Sequence, residues 1–104
     1  MFDIPPHPNV VGLLGACESP PAMVVELVHQ ARELDDYLEA FSAVETPLRY
    51  LGHAVELLTD IARGMAHLHG SDVVHRDLAP RNVLVDRERR ARVNDFGLSR
   101  NVAR

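Results

Sequence analysis

The sequence predicts an α+β fold, and three observations predict it. Two short apolar runs, Val10 to Ala16 and Ala22 to Val28, sit near the start on either side of Ser19-Pro20-Pro21. From Thr46 to Gly70 the apolar residues recur every three or four positions. After Gly70 come stubs of strand around a charged turn.

Residues 3–9, Asp-Ile-Pro-Pro-His-Pro-Asn, form a connector, because proline biases the residue before it toward extended backbone. Val10 to Ala16 reads as a strand. Its Gly12 and Gly15 lack the spacing of a phosphate-cradling loop. Ala22 to Val28 reads as a second strand, buried except at Glu26, and the two make a hairpin. His29 to Arg32 is a connector. Glu33 to Phe41 is a short amphipathic helix, with Leu34, Tyr37, Leu38 and Phe41 on one side and Asp35, Asp36 and Glu39 on the other.

Thr46-Pro47 starts a long helix, since a hydroxyl caps the first turn and proline fits the first helical position. Its apolar positions are Leu51, Val55, Leu58, Ile61, Ala62, Met65 and Leu68. Gly70 is expected to end it in a left-handed cap. Gly64 inside it weakens the helix and so predicts close packing. Val73-Val74 is a stub of strand. Val83-Leu84-Val85 and Ala91-Arg92-Val93 are two strands around the turn Asp86 to Arg90. Arg87-Glu88-Arg89-Arg90 reads as a solvated hairpin tip rather than a nucleic-acid patch, because Glu88 interrupts it and strands flank it.

A chain of 104 residues is at most one small domain with a limited core. Its 46% hydrophobic and 25% charged content excludes wholesale disorder. The net charge of -4 argues against nucleic acid or an anionic membrane surface as the main partner. The longest apolar run, Val10 to Cys17, is too short to cross a bilayer, and the start lacks a signal-peptide pattern. A cytosolic location is therefore expected. Cys17 is the lone cysteine, so no internal disulfide forms, and a reducing compartment suits it. His67 and His69 lie two apart on a helix, face different ways and make no ligand pair.

Chemistry concentrates in two segments. One reads His75-Arg76-Asp77-Leu78-Ala79-Pro80-Arg81-Asn82 and the other Asp95-Phe96-Gly97. Asp77 can orient an acceptor hydroxyl and take its proton. An ordinary aspartate pKa of about 3.9 makes it a weak base at neutral pH, so positioning matters more than basicity. The amide oxygen of Asn82 and the carboxylate of Asp95 are hard ligands of the kind magnesium prefers. The strand hairpin between them folds the chain back and would bring both to one cation. Phosphoryl transfer needs little more from protein than such positioning and charge compensation.

In order and spacing these segments resemble the catalytic loop and the metal-binding loop of eukaryotic-type protein kinases. The resemblance extends upstream. His7-Pro8-Asn9-Val10-Val11 with Leu13-Leu14-Gly15 resembles the kinase connector and fourth strand, and Met23 to Val28 the fifth strand entering the hinge. It implies a partial protein-kinase-like fold. Residues 1–28 would be small-lobe strands, 29–32 the hinge connector and 33–104 the start of the large lobe. It implies ATP and Mg2+ as cofactors and a protein hydroxyl as acceptor. By the same resemblance Asp77, Arg81 and Asn82 are catalytic-loop residues, and Asn82 and Asp95 the metal ligands. The backbone of Glu26 to Val28 meets the adenine edge, with Val25 as gatekeeper and Leu84 as the floor beneath the base. Leu13, His75 and Phe96 resemble members of the hydrophobic spine.

Ala79 stands where serine/threonine kinases commonly carry lysine, and Arg81 where tyrosine kinases commonly carry arginine, so the resemblance favours a tyrosine-type loop, with one proline substituted in it, over a serine/threonine one. Two departures matter. The chain contains no lysine at all, and no Gly-rich loop precedes Val10. Arginine does not freely replace lysine at a point-charge phosphate site. Three readings stay open: part of a working kinase, a shortened non-catalytic binding module, and a piece with no independent function.

Overall fold

The computed structural model describes residues 5–18, 21–71, 73–74, 78–94 and 100–101. Strands β1 (Leu13–Glu18) and β2 (Pro21–Val25) form an antiparallel hairpin whose register shifts between Leu13 and Gly15. Next come β3 (Arg32–Glu33), helix α1 (Leu34–Val44) and helix α2 (Pro47–Gly70). The chain continues through β4 (Val73–Val74), a 3-10 turn (Pro80–Asn82), β5 (Val83–Val85), β6 (Ala91–Val93) and β7 (Arg100–Asn101). β3, β5 and β6 make an antiparallel three-stranded sheet with β5 in the middle, and β4 pairs with β7.

The mixed α and β content matches the expected class, with shifted boundaries. The first strand starts at Leu13 rather than Val10. Val10 instead makes a parallel bridge to Val93, where Val11 N–H donates to Val93 C=O at 2.9 Å and Val93 N–H to Asn9 C=O at 2.8 Å. The second strand ends at Val25, three residues early, and Leu27 is 87% exposed. The connector before α1 ends in β3, which pairs Arg32 with Val85 and Glu33 with Leu84. Gln30 precedes it with a left-handed φ of 55°.

The start of α2 follows the sequence. Thr46 Oγ1 accepts from Arg49 N–H at 3.3 Å, and Pro47 takes the first helical position. Its end does not. Gly70 stays helical, and Ser71 caps with φ -98°, its N–H donating to the carbonyls of His67 and Leu68. A serine hydroxyl does the glycine's expected work, donating to His67 C=O at 3.1 Å.

The apolar repeat of α2 does not by itself say which face is buried. Leu57, Asp60, Gly64 and Leu68 face inward, while Leu51, Val55 and Leu58 are 60%, 60% and 63% exposed. The helix carries two apolar stripes, and a period of three or four fits both. Gly64 decides between them. A Cβ there would lie 2.4 Å from Asn9 O and 3.0 Å from Val93 Cγ2, so only the Gly64 face can come so close to the strand. The expectation of close packing at Gly64 holds.

Two apolar clusters form on this face. Val10, Leu68 and Val93 make one; Leu34, Leu57, Val83, Val85 and Ala91 make the other. Ile61 touches both and joins them. On α1, Leu34 is buried and Tyr37 and Leu38 pack beside it, as the amphipathic pattern predicts. Strand alternation turns Val83, Val85, Ala91 and Val93 inward and leaves Leu84 and Arg92 on the other face. From that second face Arg92 reaches Glu26.

Candidate functional site

The site is built on the turn that precedes β5. Pro80 starts this single 3-10 turn, and Asn82 N–H closes it on Ala79 C=O at 2.8 Å. Asn82 is 2% exposed, while its neighbour Arg81 stands on the surface. The hairpin then returns in register, Val83 opposite Val93. One step beyond that pair, Asn94 N–H donates to Asn82 C=O at 2.8 Å. The backbone at residue 94 is thereby tied to Asn82, and Asp95 is the next residue. Asp77 and Asp95 themselves lie outside the described residues, as do His75, Arg76, Phe96 and Gly97.

The segment expected to meet a nucleobase follows β2. Glu26 N–H donates to Gly12 C=O at 2.8 Å, so this N–H is already engaged. The Glu26 carboxylate is also engaged: Oε1 accepts from Gly12 N–H at 2.8 Å and from Arg92 Nη1 at 2.9 Å. Val28 is half-buried, and its C=O accepts from Ala31 N–H at 3.4 Å as the chain turns. Val25 is 42% exposed and Leu27 87%, although this run was expected to be buried except at Glu26. Leu84 is half-buried on β5, paired with Arg92 on one side and Glu33 on the other.

Two carboxylates that the sequence reading passed over hold this frame. Asp60 on α2 is 3% exposed. It takes Arg90 in a two-pronged pair, Nη2 to Oδ1 at 2.7 Å and Nε to Oδ2 at 2.9 Å, and Oδ2 also accepts from Ala91 N–H at 3.1 Å. The Arg90 guanidinium therefore holds the Asp60 carboxyl below its ordinary range, against the opposing pull of burial. Asp86 shapes the hairpin tip. Its Oδ1 accepts from the N–H groups of Glu88 and Arg90, both at 3.0 Å, and its Oδ2 from Arg92 Nε at 3.2 Å. Asp60 carried a legible signal, since it lies in helical register with Leu57 and Gly64. Asp86 carried little, because an aspartate beginning a turn is ordinary.

A third anchor fixes the connector ahead of β1. Asn9 is buried and donates from Nδ2 to Ala91 C=O at 2.9 Å. His7 accepts from Asn9 N–H through Nδ1 at 3.0 Å and stacks on His67 with centroids 4.6 Å apart. Burial, helped by the charges of His67 and Arg63, pushes the His7 imidazole below its ordinary value. His67 faces this contact while His69 is exposed, so the two do point different ways.

Residues 1–104 match the family profile described as protein tyrosine and serine/threonine kinase. The chain is 41% identical over 99 residues to the serine/threonine/tyrosine-protein kinase HT1 of Arabidopsis thaliana, a match covering 89% of this chain and 23% of that protein. It is 40% identical over 95 residues to ephrin type-A receptor 3 of Danio rerio, covering 90% of this chain and 9% of the receptor. It is 38% identical over 96 residues to tyrosine-protein kinase Fer of Rattus norvegicus, covering 90% and 11%. The chain belongs to the protein tyrosine and serine/threonine kinase family. It spans less than a quarter of the length of each of these relatives. Among the described residues, no helix is long and apolar enough to cross a membrane.

Proposed function

We propose that this chain is the part of a protein kinase domain that carries the catalytic loop, and that it serves transfer of the γ-phosphoryl group of ATP to a protein hydroxyl. Residues 1–28 act as small-lobe strands, 29–32 as the hinge connector and 33–104 as the start of the large lobe. The observation that carries the reading is the 2.8 Å bond from Asn94 N–H to Asn82 C=O. It supports an approach of Asp95 to Asn82, which two ligands of one cation require.

The residues fit magnesium by donor chemistry, since an amide oxygen and a carboxylate are both hard ligands. Asn82 and Asp95 would hold the ion, and the ion would neutralise charge on the phosphates. Asp77 orients the acceptor hydroxyl and receives its proton. Arg81 lies beside the incoming acceptor. The hinge backbone from Glu26 to Val28 binds the adenine edge, and Leu84 offers its apolar side chain below it. Ala79 and Arg81 in the loop favour a tyrosine acceptor. The reaction belongs in the cytosol, where a lone Cys17 stays reduced. Because the chain contains no lysine, it supplies no lysine clamp for the phosphates. Its own affinity for nucleotide is expected to be weak.

The test is an ATP titration with and without Mg2+ on the chain and on Asn82→Ala and Asp95→Asn. Binding that needs Mg2+ and disappears in both variants supports the reading; binding indifferent to both defeats it. Phosphorylation of tyrosine peptides against serine peptides then tests the acceptor. A second reading, a non-catalytic binding module, is favoured by the exposure of Leu48, Leu51, Val55 and Leu58 along α2. Capture of a partner that survives Asp77→Asn but not Leu51→Glu would select it.

A further inference from the structure

Arg92 sits where three segments meet: the entry to β1 at Gly12, the hinge at Glu26 and the hairpin tip at Asp86. Its guanidinium uses two edges. Nη1 donates to Glu26 Oε1 at 2.9 Å and Nε to Asp86 Oδ2 at 3.2 Å. Each group in this line is fixed by the one before it. The Asp86 side chain is 7% exposed, and two backbone N–H groups of its own turn hold it through Oδ1. Asp86 aims Arg92, and Arg92 holds the Glu26 carboxylate. That same oxygen accepts from Gly12 N–H, while Glu26 N–H reaches back to Gly12 C=O.

We propose that Arg92 is a positioning residue for the nucleotide: it holds the hinge against the β5–β6 hairpin and so sets how the segment from Glu26 to Val28 meets the base. This rests on the kinase reading of the hinge given above. The physical argument is pre-organisation. A short connector with Leu27 87% exposed has little packing to hold its backbone still. Fixing its first residue through both main chain and side chain lowers the ordering cost that a bound base would otherwise meet. Arg92 suits the task because a planar fork grips two carboxylates at once, which an ammonium does less well. The Arg92 and Glu26 side chains are 25% and 36% exposed, so solvent screens the pair and its effect is moderate and salt-dependent.

The test compares wild type, Arg92→Leu, Arg92→Lys and Glu26→Gln, all in the 104-residue chain. Three ligands are titrated in Mg2+: ATP, adenosine and inorganic triphosphate. Amide hydrogen exchange at Gly12 reports whether the grip is present. Arg92→Leu is expected to weaken ATP and adenosine alike, by roughly two- to fivefold, and to leave triphosphate unchanged. Gly12 exchange should quicken, and Arg92→Lys should fall between. A loss of stability alone would lower all three ligands together. If Arg92→Leu does not fold, Glu26→Gln removes the charge from the other end, and the same ligand pattern is expected. The proposal is overturned if a wild type that binds ATP is matched within twofold by both variants, or if triphosphate weakens as much as adenosine. A wild type that takes up neither ATP nor adenosine overturns the kinase reading as well, and that outcome is distinct because it appears before any variant is made.

Discussion

A methyl group added at Gly64 has nowhere to go. Its Cβ would stand 2.4 Å from Asn9 O, 3.3 Å from Asn9 C and 3.0 Å from Val93 Cγ2. The nearest of these is about 1 Å inside ordinary contact. The Asn9 carbonyl cannot swing away, because it accepts Val93 N–H at 2.8 Å. Relief therefore requires α2 to lift from the strand, which loosens the packing of Val10, Leu68 and Val93. Overpacking of this kind costs about 3 kcal/mol at the upper end of its usual range. Alanine returns about 1 kcal/mol of helix propensity. The net is a destabilisation of about 2 kcal/mol. At a urea slope of about 1 kcal/mol per molar, the unfolding midpoint of Gly64→Ala should fall by about 2 M. Gly52 is the internal control, since it lies in the same helix and an added Cβ meets nothing within 4 Å. Gly52→Ala should raise the midpoint by about 0.5 to 1 M. A Gly64→Ala midpoint at or above wild type would refute the claim that this glycine sets the approach of α2 to the strand.

Further outcomes follow from the same geometry. Asp60→Asn should lower stability by about 1–2 kcal/mol at neutral pH, because an amide nitrogen cannot accept from Arg90 or Ala91 N–H, while the half-exposed Arg90 is partly resolvated. The sign with pH is fixed: Asp60 titrates below its ordinary value, so its stabilisation is present above about pH 4 and is lost as pH falls toward the depressed folded value. Acid unfolding followed by circular dichroism should accordingly be flatter in the variant than in wild type. His7 is also depressed, and its protonation at Nδ1 would cost the bond from Asn9 N–H. Wild type should therefore lose stability as pH drops below about 6.5, and His7→Leu should remove part of that slope between neutral and mildly acidic urea titrations. Leu57 is 2% exposed in the larger cluster, so Leu57→Ala should cost about 2–4 kcal/mol, read as a lower thermal midpoint.

Much of this molecule was legible before any coordinates. Thr46-Pro47 announced the start of α2 because capping is local, involving one hydroxyl and the next turn. The strands at Val83–Val85 and Ala91–Val93 were legible because alternation and a charged turn sit within eleven residues. The turn at Arg87 to Arg90 is exposed, as its interrupted charge suggests. What failed were choices between locally equal alternatives. The apolar repeat of α2 runs through Leu51, Val55 and Leu58 as well as Ile61 and Leu68, and does not say which of them is covered. Val10 and Val11 look like a strand, yet they bond to Val93, more than eighty residues on. Glu26 was read for its backbone, while its carboxylate turned out to grip Gly12 and Arg92.

By itself the chain determined its family and the kinds of chemistry it can offer, because motif spacing and residue type are written along one dimension. Which stripe of α2 is covered, why Gly64 must be bare, how Asp60 and Asp86 hold the β5–β6 hairpin and how Arg92 reaches Glu26 were settled only by the tertiary structure. The reason is physical: burial and ion pairing depend on distances between segments that sequence leaves far apart, and folding alone brings Asn9 to Ala91 and Glu26 to Arg92.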